Sequence, residues 1–179
     1  MSAVAQARAH AGLDADVDMD VSESAEAAEP GFARILLATE GRAIPDAAIA
    51  RVSELADRSG PVAPTVHVFS IARIHGASFG FPNPGLLPTK RELAALREIV
   101  DSAIKRLERE GLEAEGHVLA TRKATARICE EAIKEECQAI VMAADPDRNR
   151  LVGDMLWTQE PQRVRRRAKV PVFLVGDGG

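Results

Sequence analysis

Tyrosine is absent from this sequence, tryptophan occurs once and phenylalanine five times, so aromatic residues make up 3% of its 179 positions. A surface that binds nucleic acid through stacking needs such rings among its basic residues. The one dense basic run, RVRRRAK at 163–169, has none, and Trp157 lies six residues before it. Basic residues in the last turn of a helix are favoured by its macrodipole, so no nucleic-acid partner is expected. Cysteine is also sparse. Cys129 and Cys137 share one helical pattern and lie eight residues apart, roughly 12 Å along a helix axis, too far to be joined to each other. Packing within that helix is their expected role, and a reduced, cytoplasmic protein is expected. No apolar run approaches the ~18 residues of a membrane span. No basic start leads into an apolar core, so no secretion signal is expected. Glycine is missing where phosphate loops need it: between Gly116 and Gly176 only Gly153 occurs. There is no Gly-x-x-x-x-Gly-Lys loop, and no serine or cysteine sits in the context of an activated nucleophile. No catalysis is expected.

What is present is enough for one folded domain. Apolar residues form 46% of the chain, sufficient for a sizeable core at this length. The net charge of −4 conceals an asymmetry. Residues 1–30 carry seven acids and one base, a net of −6, against +2 for the remainder. The segment LDADVDMDVSESAEAAEP buries too little apolar surface to offset its ordering entropy. Residues 1–30 are therefore expected to form an acidic disordered tail, and residues 31–179 the domain. A tail that docks on a basic partner, or on the chain's own Arg-rich helix, is the alternative.

From residue 31 onward, short apolar runs alternate with amphipathic stretches. Strands are expected at 33–39, 64–72, 112–120, 138–144 and 170–175, the third weakened by Gly116. Helices are expected at 45–58, 89–110, 124–136 and 158–168. Pro45 opens the first, and Thr89 with Glu92 forms a capping box for the second. This alternation predicts an α/β fold, a five-stranded parallel sheet with helices on both faces. Ligands of such sheets sit outside the carboxyl ends of the strands, where the strand order reverses. The candidate site is then TEGR after the first strand, the loop after the second, and ADPDRNR after the fourth.

The stretches ILLATEGR, VHVFSIA and IVMAADPDRNR…TQEPQRVRRRAKVPVFLV, in this order and spacing, resemble the universal stress protein family over roughly residues 31–176. The resemblance implies the Rossmann-like fold above and a homodimer paired through the last strand, here Val170, Val172, Phe173 and Leu174. An apolar edge strand also needs covering on physical grounds. The family includes members that bind ATP, members that bind other adenine nucleotides, and members that bind none. Its ATP-binding branch carries Gly-x-x-Gly, about nine residues, then Gly-Ser or Gly-Thr. Those glycines let backbone N–H groups approach phosphates at a helix N-terminus. Placed on this chain, the first glycine falls on Ala143, the second on Pro146, and the closing pair on Thr158 and Gln159. Proline at 146 also removes a backbone donor. The loop is about two residues longer than the family pattern. The family's Gly-x-Pro opening of the third helix reads Arg122-Lys123-Ala124. The aspartate that holds adenosine falls on Glu40. The resemblance thus implies a candidate nucleotide- or anion-binding set of Ala38, Glu40, Val68, Ala143, Asp145, Arg148, Arg150, Thr158 and Gln159. It also implies a degenerate site that does not hold ATP in the family's usual way and carries no cofactor. The alternative is ATP or AMP held by an arginine-containing loop.

Asp145, Asp147 and Asp154 lack the spacing of a cation-binding loop and are interleaved with Arg148 and Arg150, so no metal is expected there. Those arginines, with Arg42, Arg122 and Lys123, either form a basic edge that holds an anion or pair with Glu40 and the aspartates. His67 and His117 lie within strands as packed or edge residues. His75 is the histidine nearest the site. The connection at 73–88, RIHGASFGFPNPGLLP, is long and apolar at Phe79, Phe81, Leu86 and Leu87. It is expected to form an ordered lid over the strand ends or to dock on a protein partner. The expected role is regulatory or protective binding in stress physiology.

Overall fold

The computed structural model describes residues 31–74, 87–144 and 160–176. Nine elements alternate along the chain: β1 (Arg34–Thr39), α1 (Asp46–Leu55), β2 (Thr65–Arg73), α2 (Lys90–Arg109), β3 (Glu113–Thr121), α3 (Ala124–Lys134), β4 (Ala139–Ala144), α4 (Glu160–Arg167) and β5 (Val172–Gly176). All strand pairs are parallel, and the order across the sheet is β3-β2-β1-β4-β5. β1 is buried at five of its six positions, as a strand covered on both faces must be.

Two apolar layers flank the sheet. On one side Ile35, Leu37, Val66, Val68 and Val141 pack against Ile49 and Val52 of α1 and Val100 and Leu107 of α2. On the other, Leu36, Phe69, Ile71, Ile140 and Met142 pack against Ile128 and Ala132 of α3 and Val164 of α4. The alternation of successive side chains across each strand produces this division. The sheet is therefore doubly wound, and its order reverses between β1 and β4.

Local signals explain several boundaries. Thr89 Oγ1 accepts from the Glu92 N–H at 3.2 Å, and Glu92 Oε2 accepts from the Thr89 N–H at 2.7 Å, so the expected capping box starts α2. The first helix stops at Leu55, three residues short of the expected end. There the backbone is held to Phe32: Phe32 N–H donates to Leu55 O at 2.8 Å and Asp57 N–H to Phe32 O at 3.0 Å. β5 begins two residues after the expected start, so Val170 precedes the strand. The third strand is not weak. It pairs with β2 over nine residues, and Gly116 is there because the backbone of Val68 leaves no room for a side chain.

Among the described residues no helix is long and apolar enough to cross a membrane. Cys129 and Cys137 are both buried. Burial raises both thiols, that of Cys137 to about 12, which suits packing rather than nucleophilic chemistry. The acidic segment 1–30 and the lid residues His75, Phe79 and Phe81 lie outside the described residues.

Candidate functional site

In sheets of this kind the ligand crevice lies outside the carboxyl ends of the strands at the reversal, here between β1 and β4. β1 delivers Glu40 to it. Gly41, at φ +81°, turns the chain immediately afterwards, a conformation that other residues adopt at a cost. Thr39 Oγ1 closes the turn by donating to Arg42 O at 2.9 Å. The Glu40 side chain is only 8% exposed.

Glu40 is engaged within the protein. Arg73, the last residue of β2, donates from Nη2 to Glu40 Oε1 at 3.0 Å. The same nitrogen lies 3.4 Å from Oε1 of Glu160, the first residue of α4. Glu160 is also buried. Its other oxygen accepts from Thr125 Oγ1 in the first turn of α3, and Arg163 Nη1 lies 3.3 Å from its Oε1. One guanidinium thus bridges two buried carboxylates that come from opposite sides of the reversal.

Burial is the largest influence on Glu40 and disfavours its charged form. The charge and hydrogen bond of Arg73 oppose burial, the charge of Glu160 reinforces it, and the result is a carboxyl raised to about 7. The folded protein therefore keeps this proton at pH values where the unfolded chain has lost it. The resulting stability is complete below about 4.5 and is lost as pH rises through about 7, a contribution on the order of 3 kcal/mol. Glu40→Gln is expected to abolish that loss. Urea denaturation between pH 5 and 8 should show the difference between wild type and variant changing by roughly 2–3 kcal/mol. Parallel curves would place the titration elsewhere.

The expected site residues meet different fates. Glu40 stands in the crevice. Ala38 is buried beside it, paired in register with Met142. Ala143 is half-buried near the end of β4. Val68 lies in the middle of β2, fully buried against Gly116 and α2, and is a core residue. Arg42, Arg122 and Lys123 are exposed. The partner of Glu40 is Arg73 rather than Arg42. Asp145, Arg148, Arg150, Thr158 and Gln159 lie outside the described residues. Sequence reasoning missed Arg73 and Glu160. Their signals were a cation directly ending an apolar strand and an acid opening a basic helix.

A parallel sheet in this order, with polar side chains gathered at the reversal, defines a doubly wound, Rossmann-like α/β domain. A family model described as the universal stress protein family matches residues 31–176. The chain belongs to that family. Among solved structures, it is similar to a universal stress protein from Archaeoglobus fulgidus at 19% identity and a TM-score of 0.57, over 81% of this chain and 94% of that one. It is similar to a universal stress protein in complex with cAMP at 17% identity and a TM-score of 0.58, over 83% and 99%. An Archaeoglobus fulgidus universal stress protein in complex with dAMP matches at 19% identity and a TM-score of 0.55, over 79% and 96%. At these identities the likeness establishes the fold. No curated protein sequence matches the chain.

Proposed function

We propose that this chain is a regulatory, non-catalytic binding protein of the stress response whose crevice does not hold ATP in the family's usual way. The observation that carries the reading is the Arg73 bridge. A carboxylate can orient a nucleoside only by accepting from its hydroxyl or amino groups, and Glu40 already accepts from Arg73 at 3.0 Å. That charge-assisted bond, roughly twice as strong as a neutral one, holds Oε1 and turns the carboxylate toward Arg73, which leaves a nucleoside hydroxyl only Oε2. The phosphate-loop glycines that the resemblance aligns with Ala143, Pro146 and Thr158, and the serine or threonine it aligns with Gln159, are absent, which supports the same reading.

Denaturing the purified protein and chromatographing the supernatant is expected to release no stoichiometric adenine nucleotide. Added ATP is expected to leave the melting temperature nearly unchanged. A micromolar site at a thousandfold ligand excess would add about 4 kcal/mol, a shift of roughly 10 °C for a domain of this size. Stoichiometric release, or a shift of that order, would overturn the reading.

A second reading is favoured by the relatives solved with cAMP and dAMP. Here the crevice takes an adenine nucleotide, with arginines in place of glycine-loop amides. Nucleotide release on denaturation separates it from the first. In either case we propose a homodimer paired through β5, which stands at the edge of the sheet, and a cytoplasmic location. The acidic tail and the 73–88 loop are the segments proposed to meet a protein partner.

A further inference from the structure

We propose that this chain binds a divalent transition-metal ion of the zinc class through His67, Glu115 and Glu135, at the end of the sheet opposite the crevice. The three residues come from three elements. His67 and Glu115 are register partners on β2 and β3, so their side chains share a face, and Glu135 is the residue that ends α3. Because α3 runs back along the sheet from the carboxyl end of β3, its last residue arrives beside the amino-terminal half of β2.

The geometry is close to that of a coordination shell. Nδ1 of His67 lies 3.1 Å from Glu115 Oε1 and 3.7 Å from Glu135 Oε2. All three donor atoms fall within 4.8 Å of one another. Around tetrahedral zinc, with bonds of about 2.0–2.1 Å, neighbouring ligand atoms stand about 3.4 Å apart. The two measured separations bracket that spacing. Imidazole with carboxylates suits zinc and its first-row neighbours, and three protein ligands leave a fourth position for water.

Burial and charge support the assignment. The His67 side chain is 8% exposed, and Nδ1 is the ring nitrogen that faces the two carboxylates; metal at Nδ1 puts the ring proton on Nε2, which is buried with no hydrogen-bond partner, a cost the metal bonds must exceed. One ring proton on Nδ1 can serve one of the two carboxylates that converge on it, whereas a cation serves both and the ring together. Glu135 uses its other oxygen to accept from Lys134 at 2.5 Å, a contact that fixes the carboxylate without occupying Oε2. Around His67, Arg34 and Lys134 face Glu115, Glu131, Glu135 and Glu136. His117 pairs with Glu131 at 3.5 Å. With the imidazoles neutral, the four carboxylates exceed the two cations by two charges. Glu115, whose side chain is 69% exposed, opens the site to solvent.

The test is calorimetric titration of zinc chloride into the full chain after dialysis against a chelator. One zinc per chain is expected, with a rise in melting temperature at saturation. Glu115→Gln, at an exposed position that leaves the core intact, is expected to weaken binding at least ~10-fold, as is His67→Gln. Glu108→Gln, at an exposed position on α2, should bind as wild type does. No heat of binding, or unchanged affinity in Glu115→Gln, would overturn the proposal, the second result by placing zinc elsewhere in the chain.

Discussion

Arg73→Ala is expected to destabilise the protein by about 3 kcal/mol at pH 8, and by markedly less at pH 6. The guanidinium is the shared partner of Glu40 and Glu160, whose side chains are 8% and 9% exposed. Removing it leaves two buried carboxylates facing each other across the reversal, with Arg163 still 3.3 Å from Glu160. At pH 8, without the cation that holds its carboxyl down, Glu40 either stays charged and unpaired or must take up a proton that the wild type has lost, and both cost stability. At pH 6 Glu40, whose carboxyl titrates near 7 with Arg73 in place, takes up a proton and relieves most of the strain. Equilibrium urea unfolding at the two pH values measures the difference. Adding Glu40→Gln to the variant should restore most of the loss at pH 8. An equal loss at both pH values, without restoration, would show that Arg73 acts by packing its stem rather than by its charge.

Gly116→Ala is expected to cost about 3 kcal/mol, the upper end of overpacking effects. A Cβ at this position would lie 2.2 Å from the Val68 carbonyl oxygen and 2.9 Å from Val100 Cγ1. The carbonyl belongs to the β2 backbone and Val100 to the core face of α2, so neither yields without moving an element. A melting temperature lower by roughly 10 °C would be the corresponding thermal result. Gly111→Ala supplies the contrast. A Cβ there meets nothing within 4 Å, but the residue has φ +78°, so only about 1 kcal/mol of backbone cost is expected. If the two variants proved equally stable, the close approach of β3 to β2 would not constrain position 116.

Much of this fold was legible in the sequence, and for identifiable reasons. ILLAT and IVMA are apolar without alternation because both faces of their strands are covered, and the strand–helix alternation follows from that. The Thr89–Glu92 box announced α2 in four residues. Glu40 could be placed because it directly follows β1, and a strand end in a parallel sheet is a fixed address. Arg73 and Glu160 were not legible, because their meeting depends on strand order rather than element type. Alternation leaves open which strands flank β1, and the order β3-β2-β1-β4-β5, with β2 on one side of β1 and β4 on the other, brings Arg73 and Glu160 to one point. The pairing of His67 with Glu115 depends similarly on register between β2 and β3, which periodicity does not specify. Gly116 looks like a weakness in the sequence, which shows only that a side chain is missing. The structure shows the carbonyl that fills the place.

A carboxyl pushed up to about 7 gives this protein, near neutral pH, two forms that differ by one charge in the crevice. An anion that enters the crevice selects the protonated form and draws a fraction of a proton from the buffer as it binds. A cation selects the other form and releases one. Whatever occupies the crevice, its affinity is therefore tied to acidity through a residue it need not touch. Repeating a binding titration in buffers of different ionisation enthalpy would count the protons directly.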